Sequence, residues 1–550
     1  MKNKIYFLFI LLFALNIGCN DNFLDRVPYN GLSSSMIFDS DKNAVMAING
    51  VYTTLAKNSF DSNFFMFIST LGPEGVSVGR TNVGMSWAQG IGTTREASVT
   101  SVYKNMYRAI MYANEVILGL DGNTKVTESL RTRLIGEAKF LRGLCYFYLY
   151  NLYGGVVIID KPILTNEEYK ERNTRDEVVN LVIADFTDAV SKLPETYSAA
   201  ELGRATKGAA IAMLGKTYLY EKKWTEAAGQ FEKLLVAPYK YELVANYGDN
   251  FYWKTQNNKE SVFEIQYEML DGYGSSFDNY YGNRSMNNAG QDYCETSQRV
   301  FRVFTNNNGS SFDFSTIPQQ TNYTTEKAYG VDLIKWYQNT FANADKRLLQ
   351  SSILPGSTFF AKGDMYYQVY WPYTSYVGAT PPPLKTTFTT EAVIPIRKFL
   401  TLGGENSVAR TTCPTNFPVI RFADVLLMYA EAKNEISGPV TEVYSAINKI
   451  KTRAGIVTAT QSLTKDQMRR EIWLERFKEF MFEDILFFDV RRWNVAHTND
   501  PVFGLNNDEW DFRLQKKWYT KVFNDTRDYL WPIPGGEIDI NNKMMQNPGW

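Results

Sequence analysis

This sequence predicts a mainly all-α fold: a scaffold of tetratricopeptide-like helical hairpins, interrupted by a long, loop-rich, partly β excursion. Three observations carry that expectation. Apolar residues recur at helical spacing through the first half of the chain and again from Phe422. One pair of segments matches the tetratricopeptide spacing position by position. Between about Tyr241 and Pro418 the composition turns to Asn, Gly, Ser, Thr and Tyr, with Asn306-Asn307-Asn308-Gly309 and Pro381-Pro382-Pro383 as strong breakers.

The chain opens on an export signal. Lys2 and Lys4 precede an unbroken apolar run from Ile5 to Leu15, followed by Asn16-Ile17-Gly18-Cys19. A positive start, a short apolar core and a small residue before a cysteine form a lipoprotein signal, with residues 1–18 removed and Cys19 lipidated. The run is too short for a bilayer span, which needs roughly 20 residues. Several acyl chains on Cys19 give stable anchoring, because each buried methylene contributes about 0.8 kcal/mol and one chain alone is marginal. Residues 19–40 then read as a lipid-anchored tether, 41–240 as an N-terminal helical scaffold and 241–550 as a C-terminal region. Within the latter, about 241–418 presents loops and the remainder closes the scaffold.

Composition narrows the function. With 58 basic and 59 acidic side chains among 550 residues, no net field attracts nucleic acid. Besides Cys19 only Cys145, Cys294 and Cys413 are present, too few for a disulfide framework, and buried free thiols are the default. The 35 tyrosines exceed what helical core stripes absorb, so many belong to loops.

Taken in order, the first clear helix spans Ser101 to Leu120, with Tyr103, Met106, Tyr107, Ile110, Ala113, Ile117 and Leu120 on one face. A second runs from about Ser129 to Leu152 and is stopped by Gly154-Gly155. Val156 to Ile159 then reads as a buried strand-like connector. Thr174-Arg-Asp-Glu177 is a capping box that opens a third helix. Ile211-x2-Leu214-Gly215-x2-Tyr218, Ala227-x3-Phe231 and Pro238 form the tetratricopeptide pair, in which the small residue admits the large one. One such pair cannot bury its face alone, so the pairs Ser101–Leu152 and Phe422–Arg453 are expected to stack on it. Ser261–Tyr267 and Met365–Trp371 alternate like strands, while few helices fit the excursion. Thr464-Lys-Asp-Gln467 caps a closing helix.

Several blocks resemble the SusD/RagB family of outer-membrane nutrient-binding lipoproteins. They are Gly136-Glu-Ala-Lys-Phe-Leu-Arg142 with Tyr146-Phe147 and Leu152-Tyr153-Gly154-Gly155, then Arg204-Ala-Thr-Lys-Gly208 and Arg421-Phe-Ala-Asp424 with Ala430-Glu431-Ala432. Glu475-Arg476, Phe488-Asp489, Arg492-Trp493 and the ending Pro532-Ile-Pro534 to Gln546-Asn547-Pro548-Gly549-Trp550 complete the series in family order. The resemblance implies a lipid anchor on the outer leaflet of a Gram-negative outer membrane and a role as hinged lid on a SusC-like TonB-dependent transporter. It also implies capture of an oligosaccharide, or less often a peptide, for import. The charged residues of these blocks, Arg142, Arg421, Asp424, Glu431, Glu475, Arg476, Asp489, Arg491 and Arg492, flank apolar helices and are expected to dock them as salt bridges.

Catalytic machinery is scarce, and no catalytic residue, metal ligand or cofactor is assigned. The one histidine, His497, follows Arg491-Arg492-Trp493 at a helix end, where a cation suits the macrodipole. Glu475, Glu479 and Glu483 line one helical face with Arg476, Lys478 and Arg492 near enough to pair with them, whereas glycoside hydrolysis needs carboxyls across a cleft. Binding fits better. A sugar offers C–H faces to aromatic rings and hydroxyls to Asn, Asp, Gln and Arg. Gly72–Gln89, with Arg80, Asn82 and Trp87, and Tyr267–Asp292, with Tyr273, Tyr280, Tyr281 and Asn283, supply that mixture outside helices. These seven residues are the candidate ligand contacts. A tyrosine cluster from Tyr366 to Tyr376 is a further aromatic surface that suits packing or a partner.

Overall fold

The computed structural model describes residues 37–60, 62–77, 84–161, 169–282, 290–291, 293–354, 357–361, 365–368, 394–401, 411–511 and 516–550. The signal and the lipidation position Cys19 lie outside them. Two helices precede those expected from spacing. Ser40 caps α1 (Asp41–Thr54) by accepting from the Asn43 amide, and α2 (Ser62–Leu71) buries every side chain from Phe64 to Leu71.

The helical block follows closely. α3 (Ala97–Leu120), α4 (Glu128–Tyr153) and α5 (Arg175–Lys192) pack in succession, and α5 opens on the expected capping box of Thr174 and Glu177. Arg142 ties all three: its Nε and Nη2 donate to Asp185 at 2.8 and 2.7 Å, and its Nη1 to the Asn114 side chain at 2.8 Å. Such a fork satisfies both buried charges, which is the condition under which a buried pair is tolerated. The connector after Gly155 is extended but joins no ladder. Side chains hold it: Tyr107 donates to the Val157 carbonyl at 2.6 Å, and the Ile159 amide to the Tyr146 hydroxyl at 2.7 Å. α6 (Lys207–Tyr220) and α7 (Trp224–Leu234) form the tetratricopeptide hairpin, with Gly215 against the Phe231 ring.

In the excursion, β1 (Gly75–Val76) reaches forward to pair with β3 (Glu295–Thr296), and β2 (Ser261–Ile265) pairs antiparallel with β6 (Phe417–Arg421) beneath α6. β4 (Thr358–Ala361) and β5 (Met365–Gln368) make a hairpin that takes in Tyr366 and Tyr367; Tyr370 to Tyr376 lie outside the described residues. More helix is present than expected. α8 (Glu326–Thr340) buries Tyr329, Leu333, Trp336 and Tyr337, and α9 (Lys346–Ser351) follows. The chain closes with α10 (Phe422–Ser437), α11 (Thr441–Arg453), α12 (Lys465–Phe480) capped by Thr464 and Gln467, α13 (Leu486–Arg492), the hairpin β7 (Asp508–Asp511) and β8 (Lys516–Thr520), and α14 (Gly535–Ile540).

A buried ion cluster joins the excursion to the closing helices. Arg421 at the end of β6 donates to Glu260 (2.6 Å), Glu479 (2.6 Å) and Glu483 (2.7 and 2.9 Å), and to the Glu479 carbonyl (2.9 Å). Arg347 links Asp345, Glu475 and Glu479, Arg453 meets Glu260 and Glu479, Lys398 meets Glu483, and Lys478 meets Glu475. Five cations therefore face five carboxylates. Glu475, Glu479 and Glu483 are scaffold residues, but of the partners expected only Lys478 is correct. Arg476 pairs instead with Asp424 and Asp489, and Arg492 with Glu431 and Asp489. Glu483 also lies past the end of α12, in a turn where Phe482 and Asp484 take positive φ. Arg491 departs from expectation too: it donates to the backbone carbonyls of Asn151 and Tyr529. His497 contacts the Tyr529 hydroxyl through Nδ1 at 2.7 Å.

Candidate ligand-binding site

The two segments that carry the expected contacts meet at their bases. β1 and β3 pair with Gly75 opposite Thr296 and Val76 opposite Glu295. A Cβ on Gly75 would collide with the Ser69 carbonyl, so this approach requires glycine. The Thr296 amide donates to the Ile394 carbonyl (2.8 Å), and the Ser297 amide to that of Glu74 (2.8 Å). Asp278 accepts from the Thr401 amide (2.9 Å) and hydroxyl (2.6 Å), Ser275 bridges Cys413, and Ser77 donates to the Tyr519 hydroxyl (3.4 Å). Residues 74–77, 275–278, 294–297, 394–401 and 413 thus gather around one small β node, which Tyr519 also reaches.

Buried charge stiffens the node from below. Lys521 Nζ donates to the carbonyls of Thr70 (3.0 Å), Gly72 (2.5 Å) and Gly75 (2.7 Å), so one ammonium caps the C-terminus of α2 and holds β1. Arg299 donates to Glu509 at 2.7 Å, and the Ser297 hydroxyl meets the same carboxylate at 2.6 Å. Burial drives the Glu74 carboxyl well above the usual carboxylate range and pulls the Lys521 ammonium down.

Of the expected contacts, Arg80, Asn82 and Asn283 lie outside the described residues. Trp87 is placed otherwise than expected. Its ring stacks on Trp550 (5.1 Å, 27°) and meets Trp531 and Phe67 edge-on, and the adjoining cavity of about 30 Å³ is too small for a sugar. Tyr281 is a core residue: fully buried, it stacks on Phe277 and reaches the Ser69 hydroxyl at 3.3 Å. Tyr280 is half-buried against Tyr293 (5.5 Å), and the Tyr293 amide donates to the Tyr280 carbonyl, closing the base of the 283–289 segment.

Tyr273 alone of the described candidates is well exposed, at 53%, and Lys57 lies over its ring at 4.7 Å. It borders a cleft of about 500 Å³ between α1, residues 200–204 and the chain leaving β2. Tyr52, Arg204 and Gln266 form its inner wall. The Arg204 guanidinium bonds Asn49 (2.8 Å) and Glu137 (3.0 Å), and Gln266 exchanges hydrogen bonds with Asn257 at 2.8 and 3.0 Å. Tyr267 is pinned by its hydroxyl to the Phe60 carbonyl at 2.5 Å. An exposed ring beside fixed amide and cationic groups suits a polyhydroxylated ligand. Sequence reasoning missed Asn49, Tyr52 and Lys57. Asn49 and Tyr52 lie three residues apart near the end of α1, a spacing that marks one face, whereas Lys57 follows in a separate helical turn, Leu55–Ser59. Among the described residues no three His, Cys, Asp or Glu side chains group to hold a metal ion.

Comparison with known proteins follows from this geometry. The profile of the SusD family matches residues 259–550, and a second profile, described as starch-binding associating with outer membrane, matches residues 22–219. A SusD-like protein of Bacteroides ovatus is 25% identical over 526 residues, covering 91% of this chain and 83% of the relative. A SusD-like carbohydrate binding protein of Bacteroides fragilis superposes with a TM-score of 0.77 at 23% identity, over 92% of this chain and 100% of that one. Surface glycan-binding protein A of Bacteroides thetaiotaomicron, in complex with laminarihexaose, superposes with a TM-score of 0.68 at 18% identity, over 92% and 99% of the two chains.

Proposed function

Because the chain belongs to the SusD family, we propose that it is a cell-surface lipoprotein that captures an oligosaccharide and delivers it to a partner TonB-dependent transporter. The observation that carries this reading is the gathering of residues 74–77, 275–278, 294–297, 394–401 and 413 around one node braced by buried ion pairs. A rigid mount of that kind lets the residues attached to it grip a ligand without rebuilding the scaffold. The profile described as starch-binding and the relative holding laminarihexaose support a glycan as the ligand. Capture proceeds without covalent chemistry: the carboxylates of Glu475, Glu479 and Glu483 are taken up by the cations of the ion cluster. Arg80, Asn82, Tyr273, Tyr280 and Asn283 are the residues we assign to the ligand surface, and Cys19 to the anchor on the outer membrane.

Calorimetric titration of the soluble chain from residue 20 onward, against starch- and laminarin-derived oligosaccharides and a set of peptides, tests the reading. One glycan is expected to bind, and Tyr273→Ala, Tyr280→Ala and Arg80→Ala each to weaken it several-fold with the circular dichroism unchanged. Silence across the panel, with a transporter still co-purifying, would favour a pure assembly role. Cys19→Ser is expected to release the protein from the membrane fraction.

A further inference from the structure

A second concavity lies on the outer face of α3, away from the loop node. Its volume is about 560 Å³, within the range that encloses a drug-sized ligand. Tyr107, Met111 and Tyr112 of α3 form its floor with Val157 and Ile159 of the connector, and Ile540 and Met544 face them from the end of α14. The walls are already fixed. Tyr107 holds Val157 through the hydrogen bond described above, Asn541 Nδ2 donates to the Lys170 carbonyl at 2.8 Å, and Lys104 stands 3.7 Å from Glu537 across the mouth.

Two features of this pocket conflict with a sugar. The lining is dominated by apolar side chains left open to water: Met111 is 39% exposed, Tyr112 42%, Tyr169 56% and Ile540 61%. Exposed apolar surface gathered in one hollow marks a binding site rather than chance. The rim is cationic. Lys104, Arg108, Lys161 and Lys170 border it, and Glu537, the one acid among the described lining residues, already faces Lys104. Arg108 and Lys170 have no carboxylate partner among the described residues. In a chain whose basic and acidic residues nearly balance, that local excess selects for charge.

We propose that this pocket binds a small organic anion with an apolar body, an alkyl or aryl carboxylate, sulfate or sulfonate. The body lies on Met111, Tyr112 and Ile540, and the acid group sits at the Arg108 and Lys170 rim. The site is independent of glycan capture, so either reading survives failure of the other.

Fluorescence titration of the soluble chain with 1-anilinonaphthalene-8-sulfonate, followed by displacement with decanoate or decan-1-ol, tests the proposal. A single site is expected, with decanoate displacing the probe at least tenfold more effectively than the neutral alcohol. Arg108→Glu combined with Lys170→Glu, both at the surface, is expected to weaken the probe tenfold or more without changing circular dichroism. Ile540→Asp, a second and separate route, is expected to do the same. Equal displacement by alcohol and acid, unchanged affinity in these variants, or no binding would each overturn it. Displacement by a neutral oligosaccharide would overturn it as well.

Discussion

Replacing Arg421 with methionine removes one cation from the buried cluster and leaves four cations against five carboxylates. Arg421 makes five hydrogen bonds there, three of them to carboxylates of Glu260, Glu479 and Glu483 no longer than 2.7 Å. Methionine fills most of the space with a flexible side chain, so the dominant loss is electrostatic. Stranding a buried charge by deleting its partner costs about 3–5 kcal/mol. At about 2.1 cal/mol/K of unfolding entropy per residue, a chain of 550 residues shifts its melting midpoint by about 0.9 °C per kcal/mol, so Tm is expected to fall by roughly 3–4 °C. Thermal and urea unfolding followed by far-ultraviolet circular dichroism at neutral pH measures it. Arg421→Lys keeps the charge but not the planar fork and should fall between the two. Adding Glu483→Gln to Arg421→Met rebalances the cluster and should recover part of the loss, a coupling that a double-mutant cycle reads directly. A methionine variant within about 1 °C of the parent would refute the claim that this cluster secures the two blocks.

Other consequences are equally measurable. Burial alone would raise Glu475, but the Lys478 ammonium and Arg347 guanidinium outweigh it and hold the carboxyl at about 2. Its contribution is therefore complete above the unfolded value of roughly 4.3 and is lost as pH falls toward 2, so acid titration should unfold the protein in that window; a flat profile there would contradict the pairing. Glu74 behaves in the opposite sense, because its raised carboxyl keeps a proton that the unfolded chain releases, and stability declines as pH rises above roughly 4.3. Glu74→Gln cannot ionise and should gain on the parent between mildly acidic and mildly alkaline pH; a constant difference would exclude the mechanism. A Cβ on Gly215 would sit 2.7 Å from the Phe231 ring, so Gly215→Ala should cost about 1–3 kcal/mol, with Phe231→Leu relieving it. Cys145, Cys294 and Cys413 are buried thiols, and burial lifts Cys413 to about 12, so all three should resist a thiol reagent until urea unfolds the chain.

What the sequence discloses about this fold depends on how local each determinant is. The capping boxes at Thr174 and Thr464 lie within one helical turn, and both form as spacing indicates. The Gly215 and Phe231 pairing is legible for the same reason, since a short hairpin brings the two together. α8 escaped notice because Gly330 interrupts its stripe and polar residues flank it, while its apolar face is completed by Phe314 and Tyr323 from the preceding segment and by Phe341 at its own C-cap. Partner choice in the ion cluster was not legible either: Glu479 meets Arg347 and Arg421, which come from elements remote in sequence. At the site, the two aromatic-rich segments were recognised and the fold does join their bases. Which rings face outward was not recognisable, because Trp87 is covered by Trp550 and Tyr281 by the core beneath α2, contacts that alternation and composition do not encode.

The contact between Trp87 and Trp550 joins an early part of the chain to a late one. Residues 531–550 lace back through the oldest part of the chain: the Trp531 amide bonds the Leu152 carbonyl (2.6 Å), Asn547 bonds the Tyr153 carbonyl (2.8 Å), and Arg172 grips the Met545 carbonyl (2.7 Å). In synthesis from the amino end, the surfaces around Leu152 and Tyr153 gain these partners only after residues 531–550 have been made. An affinity tag fused behind Trp550 would press on Arg527, whose guanidinium lies 4.6 Å from that indole.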